Sequence, residues 1–203
     1  MKLDKFKFKI VKNILSKELC NFLFQYFIMK DVAVKYMFDT RYISPYSDDF
    51  GTFNDPQAPG YYSMYADPAT EVILVNLKQK MEKELKTKLI ETYSYARVYR
   101  KGSILYRHTD RSECAFSTTL NLGGDNWPIY LDTSGKKNQA GIKIELSQGD
   151  MLIYRGDIHE HWREEFTKDV CVQTFLHYNL LKKANKFDGR PALGLPSFYR
   201  NNK

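Results

Sequence analysis

The stretch Tyr99-Arg-Lys-Gly-Ser-Ile-Leu-Tyr-Arg-His-Thr-Asp110 decides how this chain is read. Read as an extended strand, it sends successive side chains to opposite faces, so His108 and Asp110 point the same way. One strand end thereby presents two ligands to a single metal ion. The third must come from elsewhere, and Gly149-Asp-Met-Leu-Ile-Tyr-Arg-Gly-Asp-Ile-His-Glu-His-Trp162 supplies His159 and His161. Two imidazoles and one carboxylate form the set that caps one face of an octahedral Fe(II) and leaves three positions open. An isolated His-x-Asp is commonplace at surface turns, and the second segment is what gives this one weight. The chain has four histidines, His108, His159, His161 and His177, all in or beside strand-like segments of the same half.

Outward from this stretch the same half reads as short strands over residues 92–99, 103–110, 115–122, 128–131, 142–146, 151–154, 159–163 and 170–179. Turn residues separate several of them, at Gly123-Gly124-Asp125, Ser134-Gly135, Gly149-Asp150 and Arg155-Gly156-Asp157. Upstream, Phe6, Phe8 and Ile10 alternate with Lys5, Lys7 and Lys9, a period-2 strand signal with the lysines on the wet face. Ser16 stands at an N-cap position, and Leu19, Phe22, Leu23 and Tyr26 recur at helical spacing, which predicts an amphipathic helix over residues 16–29. The pattern breaks over residues 31–60, where Asp48-Asp49, Gly51, Asn54-Asp-Pro56 and Pro59-Gly60 predict a long loop, and residues 31–65 as a lid. Asp67-Pro68 then opens a second helix with Leu74, Leu77, Met81 and Leu85 on one face. Two helices followed by eight strands predict an α+β, mainly β, antiparallel double sheet of jelly-roll type, its sheet backed by the helices.

The bulk numbers bound this reading. A chain of 203 residues fits one domain: helical support and lid over 1–90, a β core over 91–180 and a tail over 181–203. Aromatic residues make up 15%, which suits strands and a packed aromatic interior. Cys20, Cys114 and Cys171 are widely spaced and form no Cys-x-x-Cys pair, which excludes a zinc knuckle or a disulfide framework and points to reduced thiols in the cytoplasm. The N-terminus lacks the apolar run of a signal peptide, and no stretch approaches the roughly 20 apolar residues of a membrane span. The net charge of +7 gathers near both ends, between Lys2 and Lys17 and between Lys182 and Lys203. No motif joins those basic residues to a stacking surface, so the charge reads as solvated faces, with nucleic acid as the minor alternative partner.

The pattern Tyr99-x-x-Gly102-x-x-x-Tyr106-x-His108-x-Asp110 resembles the metal-binding strand of the prolyl-hydroxylase-like 2-oxoglutarate and Fe(II)-dependent dioxygenases. Phe116-Ser-Thr-Thr-Leu-Asn-Leu-Gly-Gly124 resembles the next core strand of that family. Leu146-Ser-Gln-Gly-Asp-Met-Leu-Ile-Tyr154 resembles the segment that turns back toward the distal histidine. The match runs in order from about residue 70 to residue 180. The resemblance implies a double-stranded β-helix of cupin-like jelly-roll type, bound Fe(II), 2-oxoglutarate as co-substrate, O2 as oxidant, and ascorbate as a candidate reductant. It implies hydroxylation of a peptidyl or free amino acid, coupled to decarboxylation of 2-oxoglutarate to succinate. A nucleic-acid-modifying oxygenase and a catalytically silent jelly-roll binding module stay open beside it.

The resemblance also suggests roles. His108, Asp110 and His161 are the expected ligands, with His161 preferred over His159 because the His-Trp-Arg segment aligns with the distal position. Tyr106, two residues before His108, is expected on its face and donating to 2-oxoglutarate. The family's pattern carries a Lys or Arg where Cys171 stands in this chain, with Gln173 close by. Arg163, on the face of His161 by strand alternation, and Arg97 are the candidates to replace it as partner of the far carboxylate. Asn121, sharing a face with Thr119, is expected to line the pocket, and His177 to be a core or rim histidine.

Overall fold

A computed structural model of the chain describes residues 6–44, 46–136 and 139–183. The tail expected to pack back through Phe187, Leu193, Leu195 and Phe198 lies outside the described residues, as do the first basic residues of the chain. Strand β1 (Phe8–Val11) leads to helix α1 (Lys17–Asp39), the short strand β2 (Ser63–Tyr65) and helix α2 (Pro68–Leu85). Eight strands follow: β3 (Leu89–Arg100), β4 (Leu105–His108), β5 (Phe116–Gly124), β6 (Ile129–Asp132), β7 (Ile142–Ile144), β8 (Met151–Tyr154), β9 (Glu160–Arg163) and β10 (Val170–Leu180). They form two antiparallel sheets, a six-stranded one in the order β1-β8-β5-β10-β3-β2 and a four-stranded one in the order β4-β9-β6-β7.

Alternation along each strand of the larger sheet sorts its side chains into two cores. On the outer face Ala96, Val98, Leu120, Leu122, Met151, Ile153, Val172 and Leu176 join Cys20, Leu23 and Phe27 of α1 and Leu74, Leu77 and Met81 of α2 in one buried cluster. On the inner face Tyr99, Cys171 and Phe175 meet Leu105, Trp127 and Phe166, while Leu152 and Tyr154 meet Ile129, Leu131 and Ile144. These two inner clusters join the sheets, and the side chains between them form the site described below. Among the described residues no helix is long and apolar enough to cross a membrane. The three cysteines are buried free thiols.

Helix α1 continues ten residues past the expected end at residue 29, so the loop begins at residue 40 rather than 31. Its buried face runs Cys20, Leu23, Phe27, Asp31, Val34. Asp31 occupies a core-facing slot and takes the Arg100 guanidinium, with Nη2 2.6 Å from Oδ2. A carboxylate at that slot interrupts the apolar periodicity without interrupting the helix. Strand β2, also unforeseen, is three residues long and pairs Ser63, Met64 and Tyr65 with Arg97, Ala96 and Tyr95 of β3.

Asp67 ties the two helices together. It caps α2, accepting from the Ala69 amide at 2.9 Å, and it also accepts from the Tyr26 hydroxyl at 3.0 Å and from Lys30 Nζ at 2.5 Å, both on α1. Asp67 is fully buried. Asp67→Ala removes a cap and strips the partner from Lys30, and should lower stability by about 3 kcal/mol. Asp67→Asn, which keeps an acceptor for the cap, should lose less. Urea unfolding at unchanged slope measures both, and a loss below about 1 kcal/mol in Asp67→Ala would mean that apolar packing alone holds the helices.

Candidate metal centre and its pocket

Strands β4 and β9 pair so that His108 lies opposite His161 and Leu105 opposite Arg163. The register therefore slips between these two pairs: three steps along β4 match two along β9. That extra residue reverses the parity of β4 and turns both Leu105 and His108 inward. Tyr106 is left on the outside, 56% exposed, and it does not line the pocket. The expectation that Tyr106 shares the face of His108 assumed an unbroken strand, and the bulge overturns it. Arg107, next in line, lies across the outer face of the smaller sheet, 4.0 Å from the Trp162 ring and hydrogen-bonded to Glu160 and Asp132.

Asp110 lies just beyond β4, anchored by its amide, which donates to the Gly156 carbonyl at 2.8 Å. Its Oδ1 is 3.7 Å from His108 Nε2 and 3.6 Å from His161 Nε2, and the two rings are 4.3 Å apart. The Nδ1 atom of each histidine meets a carbonyl two residues back, Tyr106 O at 2.6 Å and His159 O at 3.0 Å. A carbonyl only accepts, so both Nδ1 atoms carry protons and both Nε2 lone pairs face the centre. His161 is 2% exposed. Burial acts to raise the Asp110 pKa, but the cationic forms of His161 and His108, together with that of His177, override it and hold the carboxyl well below its usual range in the metal-free protein. Three convergent donors, two nitrogen and one oxygen, all within 4.8 Å of one another, fit a divalent transition-metal ion. His159 is outside this group, and burial pushes its imidazole pKa down.

Around these three a cleft of about 440 Å³ opens between the sheets. Tyr93, Tyr95, Arg97, Phe175 and His177 line it from the larger sheet, Ile129 and Leu105 from the smaller, and residues 54–57 from the long loop. That loop is pinned by Asp55, which accepts from Arg97 Nη2 at 2.7 Å and from the Tyr95 hydroxyl at 2.5 Å, while Gln57 Oε1 accepts from the same Arg97 nitrogen at 2.9 Å. Arg97, 5% exposed, is thus a paired cation.

Arg163 differs. It lies on the inner face of β9 beside His161, 1% exposed, between Trp127 and the larger sheet. Its Nη1 donates to the Trp127 carbonyl, its Nη2 is 3.3 Å from Thr119 Oγ1, and its Nε has no partner. No carboxylate pairs with it among the described residues, and burial lowers its pKa, opposed by the fields of Cys171, Tyr99 and Tyr154. Asn121 faces inward as expected, but its amide is spent on backbone: Nδ2 donates to Leu146 O at 2.8 Å and Oδ1 accepts from Gly123 N at 2.9 Å. It does not line the cleft.

The sequence reading missed Ser117 and Gly156, and it placed His177 as a core or rim histidine, which the structure bears out. Ser117 donates to Asp110 Oδ2. His177 lines the cleft. Gly156 stands so close that a Cβ there would lie 2.1 Å from Ser117 Oγ and 2.2 Å from Asp110 Oδ2. Only the glycine in Arg155-Gly156-Asp157 carried a signal, and it read as a turn.

No protein-family model matches this chain, and no curated protein matches it in sequence. Solved structures do. A prolyl-4-hydroxylase from Pseudomonas putida superposes with a TM-score of 0.62 at 12% identity, over 86% of this chain and 94% of that one. HygX from Streptomyces hygroscopicus, with nickel and 2-oxoglutarate bound, gives 0.58 at 14% identity over 94% and 91%. The viral collagen prolyl hydroxylase of Paramecium Bursaria Chlorella virus-1, as its 2-oxoglutarate complex, gives 0.54 at 12% over 89% and 100%. This chain therefore shares the fold of these structures, mainly antiparallel sheets of jelly-roll type.

Three substitutions separate the donor set from its surroundings. Isothermal titration with Co(II) should find no binding in His161→Ala and near-normal binding in His159→Ala. Gly156→Ala must displace Ser117 or Asp110 and should weaken Co(II) about 10- to 100-fold. Normal titration of Gly156→Ala would mean that Asp110 does not need the seat that Gly156 leaves it.

Proposed function

We propose that this chain is an Fe(II)- and 2-oxoglutarate-dependent dioxygenase, a double-stranded β-helix backed by its N-terminal helices, that hydroxylates a peptidyl or free amino acid. The observation that carries this reading is the inner face of β9, which offers an imidazole at His161 facing the other two donors and, two residues on, a buried guanidinium at Arg163 with no anion among the described residues. A metal alone needs no such cation. A dicarboxylate that reaches from the metal into the interior does.

His108, Asp110 and His161 would hold the iron, which together with 2-oxoglutarate and O2 supplies the oxidising chemistry. The protein's own share is to bind, orient and exclude water. Arg163 would take the far carboxylate of 2-oxoglutarate, and its planar fork suits both oxygens. Tyr99, Tyr154 and Thr119 stand around that guanidinium and replace Tyr106 as the hydroxyl donors for the same group. Tyr154 is buried, and its ring packs edge-on against His161 with centroids 4.8 Å apart, so it spans the distance from the metal site to Arg163. Arg97, already neutralised by Asp55, is the weaker candidate for the anchor. Cys171, which stands where the resembling enzymes carry a cation, lies within the field of Arg163, so the charge enters the same region from the neighbouring sheet. The loop around residues 52–57 forms the outer wall and would act as the lid. Likeness to two prolyl hydroxylases supports the amino-acid substrate class.

Charge-assisted hydrogen bonds contribute on the order of 1.5–3 kcal/mol each. Arg163→Ala should therefore raise the 2-oxoglutarate concentration needed for half-maximal succinate formation by about ten-fold or more while leaving Co(II) binding intact. Arg163→Lys should recover only part, since an ammonium cannot present the fork. Normal 2-oxoglutarate dependence in Arg163→Ala with a defect in Arg97→Ala would move the anchor to β3. Absence of any 2-oxoglutarate turnover by the iron-loaded wild type, with candidate peptides and amino acids supplied, would favour the silent binding module.

A further inference from the structure

Ser117, His177 and Tyr93 form one row across the inner face of the larger sheet. In the strand register His177 of β10 sits opposite Ser117 of β5 on one side and Tyr93 of β3 on the other. Ser117 Oγ lies against Asp110 Oδ2 and 3.1 Å from His177 Nδ1, with the Cys114 carbonyl further off at 3.4 Å. The His177 ring packs on Tyr93 with centroids 4.5 Å apart and is 6% exposed.

The direction of these bonds follows from proton counting. A carboxylate only accepts, and a serine hydroxyl has one proton to give. The short contact assigns that proton to Asp110, so the serine oxygen accepts from His177, and His177 carries its proton on Nδ1. The chain reads His177 Nδ1–H to Ser117 Oγ–H to Asp110 Oδ2. Gly156 closes the remaining side, since no atom larger than hydrogen fits between its Cα, Ser117 and Asp110. The two carboxylate oxygens of Asp110 are therefore unlike: Oδ1 faces both imidazole nitrogens and Oδ2 is engaged.

We infer that Ser117 and His177 are positioning residues that hold Asp110 to one metal-facing oxygen and so keep a coordination position open for the co-substrate. The inference rests on the metal site proposed above. A carboxylate with both oxygens free chelates a divalent ion and fills a position that an oxygenase of this kind needs for exchange. The hydrogen-bonded chain takes the second oxygen out of competition. The cross-strand row makes the device rigid, because Ser117 and His177 are fixed by sheet register rather than by a loop. A purely structural pair would satisfy two buried polar groups and leave the ligand field untouched.

The test compares Ser117→Ala, His177→Leu and His177→Asn with the wild type, each as purified full-length protein loaded with Co(II). Three readouts are taken: the visible Co(II) spectrum, the affinity for Co(II), and the affinity of the Co(II) form for 2-oxoglutarate. Ser117→Ala and His177→Leu should alter the spectrum and weaken 2-oxoglutarate about ten-fold, the lower end for residues that orient a metal ligand. His177→Asn, whose amide can donate to Ser117, should restore both toward the wild type. Should Ser117→Ala fail to fold, the contrast between His177→Leu and His177→Asn decides alone. Unchanged spectrum and 2-oxoglutarate affinity in variants that bind Co(II) would overturn the inference and leave the metal site standing. Failure of the wild type to bind Co(II) would overturn the metal site and the inference with it.

Discussion

Everything at the site depends on the register of β4 against β9. These two short strands set His108 opposite His161, and a one-residue slip between that pair and the Leu105–Arg163 pair sets the direction of both histidines. Side-chain period in a strand is two, so a slip of one moves every later residue to the other face. Without the bulge, Tyr106 and His108 would share a face with each other but not with Leu105. With it, Leu105 joins the inner cluster, His108 faces Asp110 and His161 and Tyr106 faces solvent. The cost is an unpaired step in a four-residue strand, and the outer network of Arg107 with Glu160, Asp132 and Trp162 holds that step in place.

The second constraint is electrostatic. Two arginines are buried between the sheets, and burying an unpartnered guanidinium is expensive. Arg97 is neutralised by Asp55, and the same pair fastens the long loop over the cleft. Arg163 has a carbonyl, a threonine hydroxyl and the face of Trp127, but no anion among the described residues. Arg163 does not line the cleft itself; it is buried two residues along β9 from His161, which does. The strand that carries His161 brings Arg163 within the field of Cys171 on the larger sheet.

Much of this was legible in the residues. Alternation and turn chemistry located all eight strands of the second half, and Asp67-Pro68 marked the start of α2. Strand period paired His108 with Asp110 and set Arg163 on the face of His161, while the preference for His161 over His159 came from the family resemblance; the structure groups His108, Asp110 and His161. The failures have specific physical causes. The bulge in β4 leaves no mark in Ile104-Leu-Tyr-Arg-His108, because a bulge is a property of a pairing and not of one strand. The end of α1 was obscured because Asp31 fills an apolar slot, and only its ion pair with Arg100, 69 residues away in sequence, explains why it can. Asn121 was placed on the inner face, but the Leu146 carbonyl that takes its Nδ2 lies on another segment, and its Oδ1 is held by the Gly123 amide two residues on in β5.

The sequence by itself determined which residues alternate, where the chain turns, and which few side chains have metal-ligand chemistry. These are local quantities, set by period, propensity and residue type. Tertiary structure alone decided which oxygen of Asp110 faces the imidazoles, which arginine is left without an anion among the described residues, that Ser117 and Gly156 belong to the site, and that His177 meets Ser117. Each of those depends on atoms brought within a few ångströms by strands far apart in the chain. Hydrogen bonds and ion pairs act only over that distance, so no reading of one segment at a time could reveal them.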